Sequence, residues 1–214
     1  MNTDVIKAMM YCVLFLLLFS CSNENEIKDG DLLFIAEKSG DLSESINRVT
    51  QTQMKTNYSH VALIQVRSDS IWVWESAPAH GIRKIGFDQF IGEQDAEIHR
   101  YRLKKEYAKS IEKAWDVAER MLGKSYNFTY ILSDTCYYCS DFVYRLLAHD
   151  SIFGLEPMTF IDPRTEKPDS GWVKHYEKLG IEIPEGALGC NPNGLAASDK
   201  LYYLDKLGDG SMNY

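Results

Sequence analysis

The chain has 214 residues, 45% of them hydrophobic and 25% charged, with a formal net charge of −8 at pH 7. That length supports one domain with a substantial core. An acidic chain with no basic run argues against a nucleic-acid partner, whose phosphates demand Lys and Arg.

Lys7 precedes an apolar run over residues 8–20, "AMMYCVLFLLLFS". The run has signal-peptide length and is short for a membrane span. It stops at Cys21, with Leu18 and Ser20 in the positions that precede a lipoprotein cleavage site. Residues 1–20 are therefore expected to be a lipoprotein signal peptide and Cys21 a lipidated residue. The polar stretch 21–29 reads as a tether, and 30–214 as the folded domain. Such an anchor would hold the domain on a bacterial membrane, on its periplasmic or outer face, without spanning it.

"GDLLFIA" (30–36) reads as a strand entered through a Gly-Asp turn. Residues 41–51 read as a helix, with Leu42, Ile46 and Val49 on one face. "SHVALIQV" (59–66) and "SIWVWES" (70–76) are β-branched and aromatic runs joined by "RSD", hence a hairpin. Strands are expected over 81–85 and 96–103, separated by the short segment "FDQFIG". The clearest helix is 105–122, where Ile111, Ala114, Trp115, Ala118, Met121 and Leu122 form one stripe and Gly123 ends it. After an aromatic loop (125–134), a second amphipathic helix opens near Cys139, with Phe142, Val143, Leu146 and Leu147 on its apolar stripe. The last fifty residues are less regular, with a short helix over 171–180 and a closing strand over 200–208. Central strands with segregated helices make an α+β fold.

The chemistry concentrates in "DTCYYCSDFV", residues 134–143. With Cys12 in the signal and Cys21 carrying lipid, Cys136, Cys139 and Cys190 remain, an odd number that leaves at least one free thiol. Cys-Tyr-Tyr-Cys has the spacing of a redox dithiol, yet no βαβ unit surrounds it. A zinc site needs a second ligand pair, and the histidines are scattered. A buried structural cysteine is the plain alternative, and it suits Cys136 better than Cys139. The fourth reading is a nucleophile, because a helix N-terminus stabilises a thiolate and offers N–H groups to an oxyanion. A nucleophile needs a base and an orienting acceptor. His60 enters one hairpin strand and Glu75 leaves the other, so an antiparallel pairing can bring them together.

"GDLLF", "NYSHVALI", "WVWESAPAHGIRKIGFDQF", "YNFTY" and "YYCSDFVYRLL" together resemble the permuted papain-like amidases, the YiiX-like branch of the NlpC-type cysteine peptidases. The resemblance spans roughly residues 30–205. It implies a circularly permuted papain-like fold, a central antiparallel sheet packed against helices, and the order His60, Glu75, Cys139. By that resemblance His60 is the general base, Glu75 fixes its tautomer, and Cys139 is the nucleophile whose backbone N–H helps form the oxyanion hole. Tyr58 and Tyr138 are expected to flank and line the site. Asn127 stands where relatives often carry Asp, and is expected to support the loop before the nucleophile. No metal or other cofactor is implied, and a monomer is expected.

The resulting expectation is a lipid-anchored cysteine hydrolase of amide bonds, with cell-wall stem peptides as one substrate class. A lipid acyl hydrolase or acyltransferase on the same triad, or a non-catalytic peptide- or lipid-binding lipoprotein, are the alternatives. Charged clamps would mark a stem-peptide site and an apolar groove a lipid site. Arg67, Arg83 and Lys84 are the candidate carboxylate contacts. Trp72, Trp74, Tyr126, Phe128 and Tyr130 are candidate pocket walls.

Overall fold

A computed structural model of the chain describes residues 26–36 and 41–208. The expected signal peptide and Cys21 lie outside the described residues. Among the described residues no helix is long and apolar enough to cross a membrane.

Five strands follow the expected order: β1 (Leu32–Ala36), β2 (His60–Arg67), β3 (Ser70–Ala77), β4 (Gly81–Gly86) and β5 (Glu97–Leu103). Between them lie α1 (Asp41–Val49) and α2 (Phe87–Gly92). Helix α3 (Ser110–Met121) follows a short 3₁₀ turn at Lys105–Tyr107. Two-residue strands β6 (Ser125–Tyr126) and β7 (Cys136–Tyr137) then lead into α4 (Cys139–Leu147). The remainder holds the short strands β8 (Glu156–Pro157), β9 (Ile161–Asp162) and β10 (Lys167–Pro168). Helix α5 (Ser170–Leu179), strand β11 (Leu188–Gly189), helix α6 (Pro192–Ala196) and strand β12 (Leu201–Lys206) complete the chain.

The main sheet is antiparallel, six-stranded, in the order β12-β5-β1-β2-β3-β4. Period-2 alternation sorts its residues. Leu32, Phe34, Val61, Leu63 and Trp74 face α3 and α4 in the largest core cluster. Leu33, Ile35, Ala62, Ile64 and Val73 form a second cluster with Phe87 and Phe90 of α2. "FDQFIG" is therefore a helix, whose two Phe plug the far face of the sheet. A third cluster, Tyr130, Tyr138, Phe160, Trp172 and Tyr176, is partly closed by Leu42, Ile46 and Val49 of α1.

Gly30 shows why the first turn takes glycine. Its φ is +87°, and a Cβ there would lie 2.4 Å from the Ile111 side chain of α3. The chain is fixed to the domain before that turn. The Asp29 carboxylate accepts from Val66 N at 2.8 Å and Trp115 Nε1 at 3.0 Å. The Glu26 carbonyl accepts from Arg102 at 2.8 Å. The end of the expected tether is thus part of the packed domain.

Candidate active site

Strands β2 and β3 pair from Arg67–Ser70 at the turn as far as Leu63–Trp74. Beyond that point β2 stays paired to β1, through Ile35–His60, and β3 stays paired to β4, through Ala77–Gly81. The hairpin is open at this end. There His60 Nε2 meets Glu75 Oε2 at 2.6 Å, so the two residues meet where the ladder has ended.

Helix α4 brings its N-terminus to the same place. Tyr137, two residues before Cys139, is held by its carbonyl, which accepts from Ser76 Oγ of β3 at 2.6 Å and from Asn127 N at 3.1 Å. Asn127 organises the preceding loop: its side chain donates to the Ile131 carbonyl at 2.7 Å and accepts from Thr129 N at 3.0 Å. Arg145, two turns into the helix, donates to Asp141 at 3.1 Å, Asp134 at 2.8 Å and the Ser133 carbonyl at 3.1 Å. No side chain caps the N-terminus of α4, so its first N–H groups remain for whatever charge develops at Cys139.

His60 meets Glu75 at 2.6 Å and has the Cys139 thiol beside it. With Nε2 committed to Glu75, Nδ1 is the ring nitrogen left to exchange a proton with a thiol. Burial lowers the imidazole pKa, but the bonds to Cys139 and Glu75 outweigh it and carry it to about 10. For Glu75 burial also opposes the charge, and His60 and Arg83 together hold its carboxyl below the usual range. Arg83 Nε donates to Glu75 Oε1 at 2.7 Å and the same guanidinium reaches Glu93 at 2.7 Å. Asp141 goes the other way: burial raises it to about 6 despite Arg145.

A cleft of about 650 Å³ lies beside the nucleophile, with Cys139, Tyr138 and Ser140 on its wall. The wall also includes Cys190, tied to both neighbours of the nucleophile. Cys190 N donates to Tyr138 Oη at 3.2 Å, and Ser140 Oγ donates to the Cys190 carbonyl at 3.1 Å. Burial pushes the Cys190 thiol up to about 12. Cys136, Cys139 and Cys190 are all free thiols.

Tyr138 lines the cleft, with Tyr126 and Tyr130. Tyr58 does not. It is 1% exposed, its hydroxyl meets Tyr101 Oη at 3.0 Å, and it serves the core. Trp74 is fully buried and donates to Gln65, while Phe128 is 43% exposed. Neither is on the cleft wall, nor is Trp72. The three expected carboxylate contacts are placed elsewhere too. Arg83 serves Glu75, Arg67 pairs with Asp29 at 3.3 Å, and Lys84 lies over the Trp72 and Trp74 rings at 5.3 and 5.1 Å. Sequence reasoning missed the role of Arg83, although its register position opposite Glu75 was the available signal.

Residues 26–205 match the family described as permuted papain-like amidase enzyme, YaeF/YiiX, C92 family. The uncharacterized protein YiiX of Escherichia coli strain K12 is 28% identical over 121 residues, so the match spans about half the length, 55%, of each protein. The crystal structure of metalloprotein yiiX from Escherichia coli O157:H7 superposes with a TM-score of 0.66 at 21% identity, covering 84% of this chain and 97% of that one. At that identity the likeness concerns the fold. Among the described residues here, no group of three or more His, Cys, Asp or Glu is placed to hold a metal ion. With the family match running from Glu26 at the docked start of the domain to Asp205 in β12, the chain belongs to the permuted papain-like amidases.

Proposed function

We propose that the protein is a cysteine-dependent amidase in which Cys139 attacks, His60 moves the proton and Glu75 orients His60. The observation that carries this reading is the single imidazole that meets a buried carboxylate at 2.6 Å and has Cys139 as its other interacting partner. Sγ adds to the amide carbonyl carbon, and the oxygen takes up negative charge at the α4 N-terminus. The C–N bond breaks, and the amine leaves with a proton from the imidazolium. Water, giving a proton to His60, then hydrolyses the thioester and releases the acid. An acyltransferase would share every step but the last, with an alcohol or amine in place of water.

A non-catalytic binding role is disfavoured by the intact His60–Glu75–Cys139 arrangement. A cell-wall stem peptide is disfavoured by the engagement of Arg67, Arg83 and Lys84 away from the cleft. The test is intact-protein mass spectrometry during incubation with N-acyl amides: an acyl adduct on Cys139, absent from Cys139→Ala, supports the reading, and turnover by that variant sinks it. We further propose that Cys21 carries the lipid that holds the domain at a membrane. Cys21→Ser should release the protein to the soluble fraction or leave an uncleaved precursor, and a Cys21 peptide of unmodified mass would refute the anchor.

A further inference from the structure

The amidase reading leaves open what the cleft is built to hold. Its wall mixes aromatic and aliphatic side chains, Tyr130, Tyr138, Met158, Phe160 and Trp172 among them, with neutral polar ones such as Thr50, Gln51, Thr159 and Asn191. Tyr130, Tyr138, Phe160 and Trp172 belong to one packed cluster with edge-to-face rings, so the wall is preformed. Charge is sparse. Lys200 is the basic residue on the wall, and Glu156 and Asp199 are the acidic ones. The Lys200 ammonium is already engaged, donating to the Ser151 carbonyl at 2.6 Å and lying 5.5 Å from the Tyr107 ring centre. An anionic substrate would find two carboxylates there against one ammonium that already donates to a carbonyl.

The buried polar atoms left without a partner on this wall are Ser59 Oγ and Trp172 Nε1. Both are neutral, so neither offers a charge to an anionic group. A stem-peptide substrate carries carboxylates, whose burial without a partner is costly.

The covalent intermediate narrows the assignment further. After the amine departs, its side must open to admit water, while the acyl group stays attached to Sγ through deacylation. The preformed cleft beside Cys139 therefore suits the part that stays. Resting on the Cys139 thioester reading, we propose that this cleft is an acyl pocket for an uncharged hydrocarbon or aromatic acyl group, and that the substrates are N-acyl amides with such a group. The step is unchanged: the amide C–N bond breaks as the C–S bond forms, and water later replaces sulfur to release an apolar carboxylic acid.

The full chain, assayed on 4-nitroanilides from acetyl to dodecanoyl, should show kcat/KM rising roughly fourfold per added methylene, up to the length that fills the cleft. A γ-D-glutamyl-diaminopimelate dipeptide should be cleaved far more slowly than the best of these. A flat chain-length series, or preference for the acidic dipeptide, overturns the acyl pocket. The Cys139→Ala variant, titrated with octanamide and acetamide by calorimetry, separates the two readings. Octanamide should bind at least tenfold more tightly than acetamide. If it binds and the wild type turns over nothing, the pocket stands and the Cys139 mechanism falls. If octanamide binds no better than acetamide while the wild type cleaves acetyl amides, the mechanism stands and the pocket falls.

Discussion

Arg83 and Glu75 face each other across β4 and β3, and the carboxylate divides its oxygens between two partners: Oε1 to Arg83 at 2.7 Å and Oε2 to His60 at 2.6 Å. Arg83 touches neither the thiol nor the cleft, so it acts through Glu75 as a positioning residue. Arg83→Gln should lower kcat about ten- to a hundredfold with KM nearly unchanged. Arg83 is one of the groups that lowers the Glu75 carboxyl, so its loss should also move the acid limb of the pH profile upward. Arg83→Lys should restore part of kcat. Equal kcat losses in the Lys and Gln variants, with no movement of the acid limb, would mean that Arg83 only supports the packing of β4.

The triad itself predicts graded losses. His60→Ala and Cys139→Ala should remove turnover, whereas Glu75→Gln should retain a remnant about 10²- to 10⁴-fold below wild type, because an orienting group is partly replaceable. Circular dichroism should show all three folded. Full activity in Glu75→Gln would show that another acceptor holds His60.

Activity and stability should both decline on the alkaline side. The folded His60 pKa, about 10, lies above its ordinary value of 6.5. Its contribution to stability is therefore complete below about pH 6.5, erodes as pH rises, and is gone above about pH 10. The leaving amine needs the imidazolium proton, so kcat should fall through the same upper limit. A kcat that stays level beyond about pH 10 would contradict the assignment of His60 as the acid.

Thiol reactivity should rank the three cysteines. Iodoacetamide at neutral pH, read by peptide mapping, should label Cys139 ahead of Cys136 and Cys190, since Cys139 alone adjoins His60 and burial holds Cys190 as a thiol up to about pH 12. Preferential labelling of Cys190 would reverse that ranking. A Cys136–Cys139 disulfide in active protein would restore the redox reading.

Asp141 is the structural cost of holding α4 in place. Its carboxyl is raised to about 6, and Oδ2 has no hydrogen-bond partner. For an acid with a raised folded pKa, stability falls as pH rises from the unfolded value of 3.8 to about 6. Relative to wild type, Asp141→Asn should therefore gain about 3 kcal/mol between about pH 3.5 and about pH 7, measured by urea unfolding. A constant difference across that range would place the destabilising charge elsewhere.

Much of the architecture was legible because periodicity carries it. The alternation in β2 and β3 and the stripes of α3 and α4 each match one buried face. The meeting of His60 and Glu75 followed from hairpin logic, although it occurs where the pairing has stopped. The cleft was less legible. Apart from Trp172 of α5, much of its wall comes from loops, two-residue strands and a five-residue helix between 152 and 200, segments too short to show a period. Tyr58 was misplaced because adjacency to His60 in sequence says little about direction, and its ring turns into the core against Phe34 and Tyr101.

The docking of Glu26 and Asp29 onto the domain limits how far it can stand from its proposed anchor. Between Cys21 and Glu26 there are five peptide steps, and a fully extended chain gains at most about 3.6 Å per step, roughly 18 Å in all. A lipidated Cys21 would therefore hold the domain nearly in touch with the lipid headgroups, on a short leash instead of a long stalk. Substrates dissolved in or lying on that bilayer would be within reach, whereas a polymer layer farther out would have to come to the enzyme.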